Sequence, residues 1–212
     1  MGLHQAIRRI VGIATTARLS AQGLALNAVA RNAIMADPDW QGGHYHGTGR
    51  EPRAGIAVAR QVGHVTYLSR ASMDEKFGRR LQDRDAVSYS LDGADYQVES
   101  YLRRRASFAN RFDANTYLYL SRALTYFDLA VAHGGGSLER AVERLQASTL
   151  LISFTSDWLY PTADSAELEA ALRAHGRDVE HHVIGRRTGD SFLLEEARQT
   201  PFIRAFLDRI AP

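Results

Sequence analysis

The chain has 212 residues, 45% of them apolar, and no cysteine. It is long enough to bury a sizeable core, and the missing thiols exclude a disulfide framework, thiolate metal sites and a cysteine nucleophile. A formal charge of +2 is too mild for a nucleic-acid reader, which gathers basic side chains on one face. The densest cluster, Arg103-Arg104-Arg105, sits beside Glu99 and Asp113 and reads as a solvated helix face. Apolar stretches such as Leu150 to Phe154 fall well short of the roughly 20 residues a membrane span needs. Met1 to Ile10 lacks a signal-peptide core, so a cytoplasmic location with no membrane partner is expected.

Ile10 to Ile13 is a β-branched run that predicts a buried strand, followed by turn and capping residues Thr15, Thr16 and Ser20. Ala21 to Ala36 has apolar residues at helical spacing and stops at Asp37-Pro38, because proline disfavours helix in the residue before it. Trp40 to Pro52 reads as a Gly- and His-rich loop, and Arg53 to Ser69 as a helix with Ile56, Ala59, Val62, Gly63 and Tyr67 on one face. Asp83 to Gln97 is a polar connection. Helices are then predicted over Val98 to Asn110 and Asn115 to Val131, the second with Tyr117, Leu120, Leu124 and Phe127 on one stripe.

The pattern changes at Gly134-Gly135-Gly136. A short helix, Leu138 to Leu145, leads to a strand over Thr149 to Phe154. A helix over Ser165 to His175 leads to another strand, Val179 to Ile184. The last helix is expected from Thr200 to Ile210, with Pro201 in its first turn. Strands separated by such helices imply parallel βαβ units, so the outer thirds of the chain are α/β with a helical insertion between them. Three strands make an incomplete sheet, whose first strand has an unpaired edge.

Candidate chemistry begins with the histidines. His44, His46 and the pair His181-His182 lack the i, i+4 spacing and the carboxylates of a zinc site, so no metal is expected. One histidine of the second pair should face out of its strand. Gly134-Gly135-Gly136-Ser137-Leu138-Glu139 invites reading as a nucleophile elbow. It follows a helix rather than a strand, however, and Glu139 stands where the second glycine belongs, so a flexible joint fits better. Asp157 lies just past a predicted parallel strand, where α/β active sites assemble, and it fits a turn cap equally well.

Five ordered segments carry a resemblance: Ala14 to Gln22, Ala33 to Trp40, Arg111 to Leu120, Thr155 to Trp158 and Asp190 to Glu195. Together they resemble successive signatures of the homoserine O-acetyltransferase family of the α/β-hydrolase superfamily. The resemblance runs from about Ile10 onward and corresponds to the C-terminal part of a member. It implies a partial α/β-hydrolase core over 1–20 and 134–212, with a helical lid over 21–133.

Members use a Ser-His-Asp triad to move an acetyl group from acetyl-CoA to the hydroxyl of L-homoserine, a ping-pong reaction of methionine biosynthesis. Acetyl-CoA is then a co-substrate, with no resident cofactor and no metal. By this resemblance Asp157 is the triad acid, Arg60 and Tyr67 recognise the amino-acid carboxylate, and Asp190 binds the substrate ammonium. A homodimer, or a dimer with a full-length relative, is implied through the helical block. The family's serine elbow lies upstream of the segments matched, and Gly189 stands where the family has a histidine before the aspartate matched by Asp190. The expectation is a truncated or inactive form. Similar relatives use acetyl or succinyl donors and homoserine or serine acceptors.

Overall fold

The structure is a computed structural model that describes residues 7–66, 68–89, 91, 93–106, 112–185 and 196–209. The predicted β-branched runs form β1 (Arg9–Ile13), β2 (Ser148–Phe154) and β3 (Val179–Ile184). They pair in parallel in the order β1-β2-β3. Arg9 lies opposite Ser148 and Ile13 opposite Ile152, while Thr149 lies opposite Val179 and Phe154 opposite Ile184. All of β2 beyond Ser148 is buried, which is why it reads as a continuous apolar run rather than an alternating one. β1 pairs only with β2 among the described residues, and its five residues are all half-buried.

Alternation along β2 divides the core into two layers. Leu151 faces Leu172 and Ala171 of helix α8 (Thr162–Ala174), together with Val179, Leu138 and Val142. Leu150, Ile152 and Phe154 face the other way, onto Ile184 and onto Phe206 of helix α9 (Glu196–Leu207). Each such buried aliphatic side chain contributes about 1.5–3 kcal/mol relative to an exposed one. The structure differs from expectation at α9, which is helical from Glu196 and holds Pro201 in its interior rather than in its first turn. The ring forfeits one backbone hydrogen bond there, while burial of Phe206 at 1% exposure keeps the helix on the sheet.

The helices before β2 begin with α1 (Ala21–Ala36), α2 (Arg53–Thr66), α3 (Arg70–Lys76), α4 (Gln97–Ala106) and α5 (Ala114–Tyr126). After them come α6 (Leu129–Gly134) and α7 (Leu138–Val142). Ala30, Ile34, Ile56, Ala59 and Ala114 form a separate core. Helix α1 meets the start of α2 at Gly55, where a Cβ would lie 2.6 Å from the Ala33 carbonyl oxygen. The Asp37 carboxylate ties the intervening loop by accepting from Asp39 N at 3.0 Å and Gly55 N at 2.8 Å.

The helix expected through Asn115 to Val131 breaks at Phe127-Asp128. Asp128 caps α6, its Oδ1 accepting from Val131 N at 3.0 Å, while Leu129 N donates to Ala17 O at 2.9 Å. The glycine run is likewise a packed corner. Gly135 closes α6 in a left-handed conformation (φ 59°) and Ser137 caps α7. A Cβ on Gly134 would lie 2.7 Å from Ala141 N. The chain divides into a sheet unit, Met1–Gly23 with Leu124–Pro212, and a helical unit, Leu24–Ala123. Helices α6 and α7 therefore belong with the sheet.

Candidate active site

β2 ends at Phe154, and the chain turns so that Asp157 N donates to Phe154 O at 3.2 Å. Asp157 Oδ1 accepts from Leu159 N at 2.9 Å and Tyr160 N at 2.8 Å. Asp157 therefore does cap its turn, and neither of these bonds uses Oδ2. Burial pushes its carboxyl above the usual aspartate value, against the pull of the Tyr160 and Leu159 amides, and the Asp164 carboxylate raises it further. Asp164, in the first turn of α8, is also raised by burial, opposed by a hydrogen bond with Thr16.

Arg60 belongs to the helical unit, on α2. Its guanidinium lies 4.7 Å from the centre of the Phe112 ring, and its buried Nε has no hydrogen-bond partner among the described residues. Tyr67 and Asp190, the other expected substrate contacts, lie outside the described residues. Phe112 also lines an open cleft of about 430 Å³ with Tyr45, His46, Arg50, Arg53 and Asp113. The Tyr45 hydroxyl donates to Asp113 Oδ2 and accepts from Ala114 N at 3.0 Å. Burial pushes the Asp113 carboxyl up, but hydrogen bonds from Tyr45 and Thr116 and the nearby His46 outweigh it, so the group sits below the usual value. His46 Nε2 lies 3.2 Å from Asp113 Oδ2.

No group of three or more potential metal ligands occurs among the described residues. His181 and His182 point to opposite faces of β3, and of the two it is His182 that keeps solvent contact, its side chain 34% exposed against 5% for His181. His182 stacks on Phe202 at 3.9 Å between ring centres. His181 is buried on the α8 side, with Nε2 2.8 Å from Ser153 Oγ and Nδ1 2.8 Å from Glu169 Oε2. Sequence reasoning missed this chain of contacts. The shared face of Val179, His181 and Val183 was readable, but the partner on α8 was not.

A parallel sheet covered by helices on both faces, with a half-buried aspartate just beyond its central strand, defines an α/β-hydrolase-type unit. Solved structures agree on the fold. Homoserine O-acetyltransferase from Bacillus anthracis superposes with a TM-score of 0.82 at 19% identity, over 97% of this chain and 54% of that one. Esterase E22 gives 0.77 at 22% identity, over 95% and 54%.

In sequence the chain is 49% identical over 207 residues to a homoserine O-acetyltransferase of Rhodospirillum rubrum, covering 97% of this chain and 52% of the relative. It is also 49% identical over 207 residues to a homoserine O-succinyltransferase of Cupriavidus taiwanensis, again covering 97% and 52%. Over nearly its whole length the chain is thus similar to homoserine O-acyltransferases of both the acetyl and the succinyl kind. It spans about half the length of the curated relatives it matches. No family model matches it. No helix among the described residues is long and apolar enough to cross a membrane.

Proposed function

We propose that these 212 residues are the acid-bearing part of a homoserine O-acetyltransferase, and that by themselves they do not transfer an acyl group. The observation that carries the reading is Asp157, held at the carboxyl end of β2 by two amides on Oδ1 with Oδ2 left over. A carboxylate fixed this way orients a histidine through its second oxygen and stabilises the imidazolium formed when the serine proton is taken. Its raised affinity for a proton marks a poorly hydrated charge, which attracts an imidazolium more strongly than a solvated one does.

Arg60 supplies the second element. Seated on the Phe112 ring, its planar fork suits two-point recognition of an amino-acid carboxylate, with Tyr67 beside it in sequence register and Asp190 for the ammonium group. Acetyl-CoA is the co-substrate in this reading. Transfer by these residues alone fails because no G-x-S-x-G occurs among them and Gly189 stands where the base belongs. Loss of serine or base lowers turnover by on the order of 10⁶.

The test is to join the serine-bearing segment of the R. rubrum relative ahead of Ile10, with and without Gly189→His. O-acetylhomoserine formation is expected only with the substitution, and Asp157→Asn should then lower it by on the order of 10⁴. Equal activity without Gly189→His overturns the assignment of the base, and indifference to Asp157→Asn overturns that of the acid.

A second reading, a non-catalytic subunit that pairs with itself or a full-length relative, is favoured by Tyr119 and Leu120 on α5, which are 78% and 63% exposed. Light scattering of the chain alone and mixed with the relative separates the two readings.

A further inference from the structure

Ser153, His181 and Glu169 have the connectivity of a serine nucleophile, its base and an orienting acid, with both links at 2.8 Å. Burial argues against that role. Ser153 has no exposed surface and lies inside β2, beneath α8, where no acyl group reaches its Oγ. We infer that the three residues instead form a positioning clamp that locks α8 onto β2 and β3 and thereby fixes the turn that carries Asp157.

The hydrogen-bond chemistry is suited to a fixed joint. A carboxylate only accepts, so His181 Nδ1 must donate to Glu169 whatever charge the ring carries. A serine hydroxyl can donate or accept, so Nε2 is satisfied in either protonation state. The joint therefore survives a change in the charge of His181. Arg173 anchors the outer end, its Nε donating to Glu169 Oε1 at 2.9 Å and a terminal nitrogen donating to Val179 O at 3.2 Å. Among the described residues, Glu169 from α8 and Ser153 from β2 are the side chains bonded to His181, and Arg173 holds Glu169 from its other side; Glu180 and His182 are the neighbours of His181 along β3.

Helix α8 has a second anchor nearer its start, where Ser165 Oγ donates to Thr15 O at 3.1 Å. The turn that Asp157 caps at Leu159 and Tyr160 runs through Pro161 directly into α8, where Asp164 N donates to Pro161 O at 2.9 Å. The lateral position of α8 thus sets the surroundings of Asp157, and the significance of the clamp for acyl transfer rests on Asp157 being the triad acid.

The experiment follows the side-chain carboxyl resonance of Asp157 against pH in the full 212-residue chain, assigned with Asp157→Asn. Glu169→Ala is expected to move its titration midpoint down toward the ordinary aspartate value, and Glu169→Gln, whose amide oxygen still accepts from His181, to restore it. Imidazole nitrogen shifts should place the proton of neutral His181 on Nδ1 in the wild-type chain, and this preference should be lost in Glu169→Ala. An unmoved Asp157 midpoint in a folded Glu169→Ala chain overturns the clamp while leaving the role of Asp157 to the fusion assay. Covalent labelling of Ser153 by a fluorophosphonate probe overturns it in favour of a nucleophile.

Discussion

Replacing Gly55 by alanine sets two effects of opposite sign against each other. Alanine in place of glycine within a helix ordinarily gains about 0.5–1 kcal/mol, and less at Gly55, the third residue of α2, where the first turn is only partly formed. Against this, the new Cβ would stand 2.6 Å from Ala33 O and 2.7 Å from Ile34 Cα, both backbone atoms of α1 that cannot rotate aside. Overpacking of this kind costs about 1–3 kcal/mol, so the net expectation is a loss of about 1–2 kcal/mol, with strain on the Gly55 N to Asp37 bond added. Gly23→Ala is the control. Its Cβ would meet only side-chain atoms, the nearest being Leu19 Cδ2 at 3.3 Å, and the substitution should be neutral or mildly stabilising. Urea unfolding of both variants, followed by far-UV circular dichroism, reads the difference. An upward shift of the midpoint for Gly55→Ala matching that of Gly23→Ala would refute the close approach of α1 and α2.

Asp157→Asn should raise the urea midpoint at pH 7 and change it much less near pH 3. The native carboxyl binds its proton more tightly than the unfolded one, so wild-type stability falls as pH rises through the window above the ordinary aspartate value of 3.8, and the amide has no such penalty. Tyr45→Phe removes the hydroxyl that donates to the Asp113 carboxylate and receives Ala114 N, at a cost of about 1.5–3 kcal/mol. The sign of its pH dependence is the reverse: the Asp113 contribution is present above the unfolded value and disappears as pH falls through the lowered native one, so the variant and wild type should converge in acid. Asp128→Ala, which uncaps α6, should cost about 1 kcal/mol by the same denaturation assay.

The strands and α1 were legible because their signals are local and complete. Ala21 to Ala36 ends at a proline, and Val179 to Ile184 is bounded by polar residues on one side and glycine on the other. What escaped the sequence was fixed by contacts distant along the chain. The apolar stripe from Asn115 to Val131 gives no warning of the break at Asp128, which is made by its bridge to Arg18 and by the bond from Leu129 to Ala17. Composition invites reading Gly134-Gly135-Gly136 as a loose joint, but Ala141 requires the missing Cβ of Gly134. Pro201 has the properties of a helix start, yet burial of Phe206 carries the helix through it. At the site, Asp157 was readable as an acid past a strand, whereas the link from Ser153 through His181 to Glu169 joins three elements and has no local signature.

On the proposed function, these 212 residues carry the acid of a homoserine O-acyltransferase-like site without its nucleophile or base. The most direct measurement incubates the purified chain with acetyl-CoA or succinyl-CoA and L-homoserine, following thiol release and acyl-homoserine by mass spectrometry. The account predicts no product above the uncatalysed rate, for the wild-type chain and for Gly189→His alike. Sustained turnover that disappears in Asp157→Asn would contradict it, by placing a complete acyl-transfer site within these residues.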